Sequence, residues 1–79
     1  MESIGQRVRF FRNTKKLNQQ QLSEIINVSQ GRLSEIEKDI CKPSADTLIS
    51  ISQKFDVNLN WLLLGEGFRY KSQVHYEWK

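Results

Sequence analysis

The sequence predicts an all-α domain of five short helices that runs into a C-terminal β-strand extension, and three observations carry that prediction. Apolar residues recur three and four apart from Ile4 to Leu64, the spacing that places them on one helix face. Asn18, Ser29 and Ser44 stand just ahead of three of these blocks, where a short polar side chain can satisfy N–H groups that a helix start leaves open. From Phe68 the spacing changes to two: Phe68, Tyr70, Ser72, Val74, Tyr76 and Trp78 alternate with Arg69, Lys71, Gln73, His75, Glu77 and Lys79. That period marks a strand with one apolar face.

The first helix is expected over about residues 3 to 14, with Ile4, Val8 and Phe11 inward and Phe10 beside them. Gln6, Arg7, Arg9 and Asn13 then face outward. Lys15 and Lys16 read as a solvated loop, and Leu17 as a core plug. Residues 18 to 38 are the organising stretch. Leu22, Ile25 and Ile26 form one apolar block, and Leu33 and Ile36 a second. Asn18 with Gln21 three residues on makes a capping-box-like start, Asn27 can take the left-handed conformation that closes a helix, and Ser29 opens the next. Two short helices joined by so tight a turn form a helix-turn-helix arrangement, whose second helix can enter a DNA major groove.

Pro43 disfavours helix at Lys42, so the fourth helix starts at the cap Ser44. Asp46 lies in its first turn, where the helix dipole favours it, and Leu48 and Ile51, with Ile49 and Phe55, point inward. The fifth helix opens at Asn58, carries Leu59, Trp61, Leu62 and Leu64, and stops at Gly65. Its apolar surface is denser than one small core hides, so Trp61 is expected to lie partly at a subunit interface. Gly65-Glu66-Gly67 supplies a hinge into the tail. A lone strand leaves an unpaired edge. The expected solution is an antiparallel ribbon with the same tail of a second copy, made through Phe68, Tyr70, Val74, Tyr76 and Trp78. Disorder, folding back on the chain's own body, or continuation into a longer polypeptide are the alternatives. His75 reads as a surface histidine.

A length of 79 residues supports one small domain, for which a partner subunit would add stability. The net charge of +3 is unevenly spread, with +4 in residues 1–16, −3 in residues 17–67 and +2 in residues 68–79. Any polyanion must therefore meet the basic residues on one face. Cys41 is the single cysteine, which excludes an internal disulfide and a thiolate metal cluster. The longest apolar run, Trp61 to Leu64, is too short for a bilayer, and no signal-peptide core is present; a cytoplasmic, nucleoid-facing protein is expected. One histidine, one distant cysteine, no paired carboxylates and no Gly-rich phosphate loop argue against an enzyme. No cofactor and no metal are expected.

Taken in order, Ile4-Gly-Gln-Arg-Val-Arg, Leu17-Asn-Gln-Gln-Gln-Leu, Val28-Ser-Gln, Ile36-Glu, Lys42-Pro-Ser and Val57-Asn-Leu-Asn-Trp-Leu-Leu resemble the Cro/cI-type helix-turn-helix family of phage and bacterial repressors. The resemblance covers residues 4 to 64. It implies a compact, five-helix, lambda-repressor-like DNA-binding domain over residues 1–65, with 66–79 as an extension that is expected to dimerise. It also implies a transcriptional repressor that occupies an inverted-repeat operator in double-stranded DNA as a homodimer. By the same resemblance Arg12 pairs with Glu37, Gln19 clamps a phosphate, and Lys38 and Lys42 touch the DNA backbone from the loop between them.

The second helix of the motif would read bases. Gln30 can pair bidentately with adenine N6 and N7, Arg32 with guanine O6 and N7, and Glu35 can accept from cytosine N4. Ser29 reads as a cap that also touches phosphate. Gly31 costs about 1 kcal/mol relative to alanine in a helix; close approach to DNA, an unread base or simple drift would each account for it. Cys41 reads as an incidental loop thiol. A second functional class stays open, an antitoxin-like or other protein-interaction module that holds a protein partner through the aromatic tail or the fifth helix.

Overall fold

The computed structural model describes residues 2–73, which fold into α1 (Ile4–Thr14), α2 (Gln19–Ile25), α3 (Gln30–Glu37), α4 (Ala45–Lys54) and α5 (Leu59–Leu64), followed by a 3-10 turn at Lys71–Gln73. Each α-helix starts on a side-chain cap: Ser3, Asn18, Ser29, Ser44 and Asn58 accept from the backbone N–H of Gln6, Gln21, Arg32, Thr47 and Asn60. At Ser3 and Asn18 the cap is reciprocal, because Gln6 and Gln21 reach back to the cap backbone and satisfy a second donor. The helix starts are thus fixed locally, by residues close in sequence.

The helix ends are equally local. Lys16, Asn27 and Asp39 adopt left-handed φ values of 59°, 61° and 62°, just past α1, α2 and α3. Beyond each, the next N–H returns to the last turn: Leu17 to Arg12, Val28 to Ser23 and Ile40 to Glu35, at 3.2, 2.9 and 2.9 Å. This is a Schellman closure, in which glycine is the usual left-handed residue. A side chain in that conformation costs roughly 1 to 2 kcal/mol. Lys16 is exposed, so Lys16→Gly is expected to stabilise the fold by about 0.5 to 1 kcal/mol after the added chain entropy of glycine is subtracted. A urea midpoint that rises at constant m-value would show it; an unchanged midpoint would mean that the turn is unstrained.

Val8, Phe11, Leu22, Ile26, Leu33, Ile36, Ile51, Val57, Trp61 and Leu62 make the core. α1 packs on α3 and α5, and α2 packs on α3. Phe11 meets the edge of Phe55 at 4.9 Å between ring centres. Two apolar residues expected inside are not: Ile25 is 38% exposed and Ile49 51%. Ile25 points about 100° round the helix from the buried Ile26, toward solvent. Ile49, two residues from the buried Ile51, falls on the far side of α4.

Arg7 corrects a second expectation. It is buried, at 4% exposure, and its Nε and Nη2 donate to the Leu62 and Leu63 carbonyls at 2.8 and 3.0 Å. It sits three residues from Ile4 and four from Phe11, on the inward stripe. There its cation satisfies carbonyls at the end of α5, where the helix dipole favours positive charge.

The tail departs most from expectation. Over residues 68–73 no continuous strand forms. Tyr70 instead makes an isolated antiparallel bridge with Val57, flanked by Asn58 N–H to Arg69 O at 2.7 Å and Lys71 N–H to Asp56 O at 2.9 Å. The chain is turned back by Gly65 and Gly67, with φ of 76° and 81°, and residues 56–58 offer it an edge within its own chain. Side chains secure the clasp: Asn58 Nδ2 donates to Phe68 O, Lys71 Nζ to Ser52 O, and the Ser72 N–H to Asp56 Oδ2. Hydrogen bonding from Ser72 holds the Asp56 carboxyl below the usual carboxylate range, with Lys71 and Lys15 adding to it. Val74, Tyr76 and Trp78, assigned with them to a dimer ribbon, lie outside the described residues, as does His75.

The clasp also relocates the aromatic residues. Arg69 lies over the Phe10 ring at 4.7 Å and over Trp61 at 6.0 Å, and Phe10 meets Trp61 edge-on. Trp61 is 7% exposed; it belongs to the chain's own core and offers little surface to a subunit interface. Tyr70 is half-buried under the ammonium of Lys15. Phe68 alone of the described tail aromatics is solvent-facing, at 56%.

Candidate nucleic-acid interface

α3 is held from behind by one carboxylate. Arg12 grips Glu37 with two parallel bonds, Nε to Oε2 at 2.6 Å and Nη2 to Oε1 at 3.0 Å, the forked geometry that makes such pairs strong and directional. The third guanidinium nitrogen donates to Leu17 O at 2.9 Å, and Gln19 Nε2 donates to Glu37 Oε1 at 3.2 Å. The side chains of Arg12 and Glu37 are 11% and 3% exposed. α1, the turn after it, the start of α2 and the end of α3 therefore converge on Glu37. Gln19, assigned to a phosphate by resemblance, spends one amide hydrogen on this network.

With Leu33, Ile36 and Glu37 buried, the opposite face of α3 is presented to solvent. Gln30, Gly31, Arg32 and Glu35 are all exposed, as are the cap Ser29 and the loop residues Lys38 and Lys42. Arg32 and Glu35, three apart, share one side of the helix. A Cβ on Gly31 would meet nothing within 4 Å, so nothing inside the domain requires glycine there. Ser29 accepts from Arg32 N–H at 3.0 Å, and the positive end of the helix dipole points out beside it. Cys41 is half-buried.

A second junction ties the start of α1 to the end of α3. A Cβ on Gly5 would lie 2.5 Å from Ile36 O, 2.7 Å from Glu37 O and 2.8 Å from Asp39 Oδ1, so glycine is what lets α1 approach the end of α3. The Gly5 N–H donates to Asp39 Oδ1 at 2.9 Å. Hydrogen bonds from the Ser3 hydroxyl, then from Gly5, with the charge of Arg7, hold the Asp39 carboxyl below its usual range. Gly5 inside a helix is itself a signal of close approach; neither Asp39 nor Arg7 carried one as a residue type. Among the described residues no helix is long and apolar enough to cross a membrane.

Five capped helices, with a tight α2–α3 turn and an outward polar face on α3, define a helix-turn-helix protein of the Cro/cI type, and the chain belongs to that family. The model of the helix-turn-helix domain family matches residues 5–68. The chain is similar to an immunity repressor protein of Bacillus phage phi105, 31% identical over 77 residues that cover 98% of this chain and 54% of the relative. It is similar to the HTH-type transcriptional regulator ImmR of Bacillus subtilis (strain 168), 31% identical over 61 residues covering 77% and 48%. Repressor protein CI of Enterobacteria phage phi80 is 35% identical over 68 residues, covering 85% of this chain and 28% of that protein. The chain thus spans about half the length of the first two and less of the third. No solved structure matches it.

Proposed function

We propose that the chain is a sequence-specific, double-stranded DNA-binding transcriptional regulator, a repressor that occupies an inverted-repeat operator as a homodimer with α3 in the major groove. The observation that carries this reading is the division of α3 into a side locked by Arg12–Glu37 and a broad solvent-facing arc that carries Gln30, Gly31, Arg32 and Glu35, with Arg32 and Glu35 side by side. Residues 1–65 form the DNA-binding unit and 66–79 its extension. Gln30, Arg32 and Glu35 read base edges, Gly31 lets the backbone come near, and Ser29, Lys38 and Lys42 bind phosphates. The remaining amide hydrogen of Gln19 is free to join them. A homodimer is supported by Leu64 and Phe68, 63% and 56% exposed on either side of the glycine hinge. The same two residues support the second reading, a protein-interaction module whose partner covers them.

Selection of random duplex DNA by the full-length protein at about physiological salt separates these readings. An enriched inverted repeat with half-sites about one helical turn apart is the expected result. A single half-site removes the dimer, and no enrichment removes the DNA reading in favour of the protein partner. On the selected site, Arg32→Ala is expected to cost about 1 to 3 kcal/mol and to relax preference at one base pair. Lys42→Ala is expected to weaken all sequences alike and to lower the salt slope by about 1. Equal losses for Arg32→Ala on selected and random DNA would remove its base-reading role.

A further inference from the structure

We propose that Asp39 is a positioning residue, whose carboxylate pins the loop between α3 and α4 to the first turn of α1 and thereby fixes Lys38 and Lys42 for phosphate contact. The inference rests on the DNA-binding reading for its phosphate half and on geometry alone for its loop half.

Asp39 occupies the left-handed position of the Schellman closure of α3, at φ 62°, with its own N–H to Ile36 O at 3.0 Å and Ile40 N–H to Glu35 O at 2.9 Å. Glycine fits that position without steric penalty, whereas aspartate is tolerated there at some strain. What aspartate adds is its carboxylate. Oδ1 accepts from Gly5 N–H at 2.9 Å across 34 residues of sequence, one residue inside the start of α1 that Ser3 caps. The carboxylate thus meets a backbone donor in the first turn of α1, at the positive end of its dipole. Elsewhere the loop is held by α3 itself, by Cys41 packed against the core and by the Ser44 cap of α4. Asp39 is its tie to α1, with Lys38 on one side and Lys42 three residues on. The lowered carboxyl range of Asp39 agrees with this geometry.

Asp39→Gly and Asp39→Asn separate positioning from stability. Glycine keeps, and relaxes, the left-handed backbone but removes the acceptor; asparagine tolerates that backbone and keeps a neutral acceptor in place. The probes are 15N relaxation of the free protein and the salt dependence of binding to a labelled 20-base-pair duplex of random sequence. For Asp39→Gly, order parameters of residues 38–42 are expected to fall from about 0.85 to below about 0.6. The slope of log K against log salt is expected to drop by about 1 to 2, one phosphate contact being worth about 0.9. Asp39→Asn is expected to retain the wild-type slope. A merely structural role would lower the melting temperature and leave the slope of the folded protein unchanged, which overturns the proposal. Wild-type order parameters in Asp39→Gly overturn it with no DNA present. A wild-type protein that binds no duplex even at low salt overturns the regulator reading and the phosphate half together, while the relaxation data still decide the loop half.

Discussion

Gly5→Ala is expected to lower the melting temperature by roughly 10 to 20 °C, an unusual result for a substitution that improves helix propensity. Alanine gains about 1 kcal/mol over glycine inside a helix. Against it stand the Ile36 and Glu37 carbonyls at 2.5 and 2.7 Å from the new Cβ, which are backbone atoms and cannot swing aside. Relief requires α1 to move off α3, which stretches the Gly5–Asp39 bond and disturbs Arg7 and Arg12 on the same helix. Overpacking typically costs about 1 to 3 kcal/mol, occasionally more; with two backbone oxygens inside 3 Å the cost here is expected at about 3 to 4, so a net loss of about 2 to 3 remains after the propensity gain. In a domain of this size each kcal/mol shifts the midpoint by about 4 to 8 °C. A calorimetric midpoint at or above wild type would show that the α1–α3 approach yields easily.

Glu37→Met is expected to cost about 3 to 5 kcal/mol, because it strands the Arg12 guanidinium away from water with only Leu17 O as a partner. That is a large share of the stability of a small domain, about 0.05 to 0.15 kcal/mol per residue. The double variant Arg12→Met with Glu37→Met is expected to be more stable than Glu37→Met, since packed apolar groups replace a buried pair at little net loss. Urea titrations of wild type, both single variants and the double variant form the cycle that isolates the pair. Single variants that each lose less than about 1 kcal/mol would place the pair with ordinary surface bridges, and Glu37 would no longer explain the fixed angle of α3.

Much of the helical framework was legible because it is written locally. Asn18, Ser29, Ser44, Asn58, Asn27 and Gly65 act through neighbours a few residues away, and each stands at the helix boundary it was read to mark. Arg12 and Glu37, 25 residues apart, were paired through resemblance, since no spacing rule joins two helices. Arg7 lay on the inward stripe, but its charge outweighed its position, and only the α5 carbonyls explain how a guanidinium satisfies itself there. Lys16 and Asp39 concealed left-handed turns because neither is glycine. The period-two pattern from Phe68 predicts a strand, but over residues 68–73 there is only an isolated bridge from Tyr70 to Val57, a non-local contact that alternation cannot reveal.

The inward turn of Arg7 and Arg12 also changes how the molecule would look to a charged body at a distance. The stretch that counts +4 along the chain folds so that one guanidinium sits on carbonyl oxygens and another forms a near-neutral dipole with Glu37. The far field on that side comes from Arg9, Lys15 and Lys16 with the buried charge of Arg7, and elsewhere from exposed cations such as Arg32, Lys38 and Lys42, which lie within the net-acidic segment 17–67. Electrostatic capture depends on that outer distribution and not on the sum of charges. Association with a polyanion should therefore be only modestly accelerated at low ionic strength, and tight binding would depend on slow dissociation.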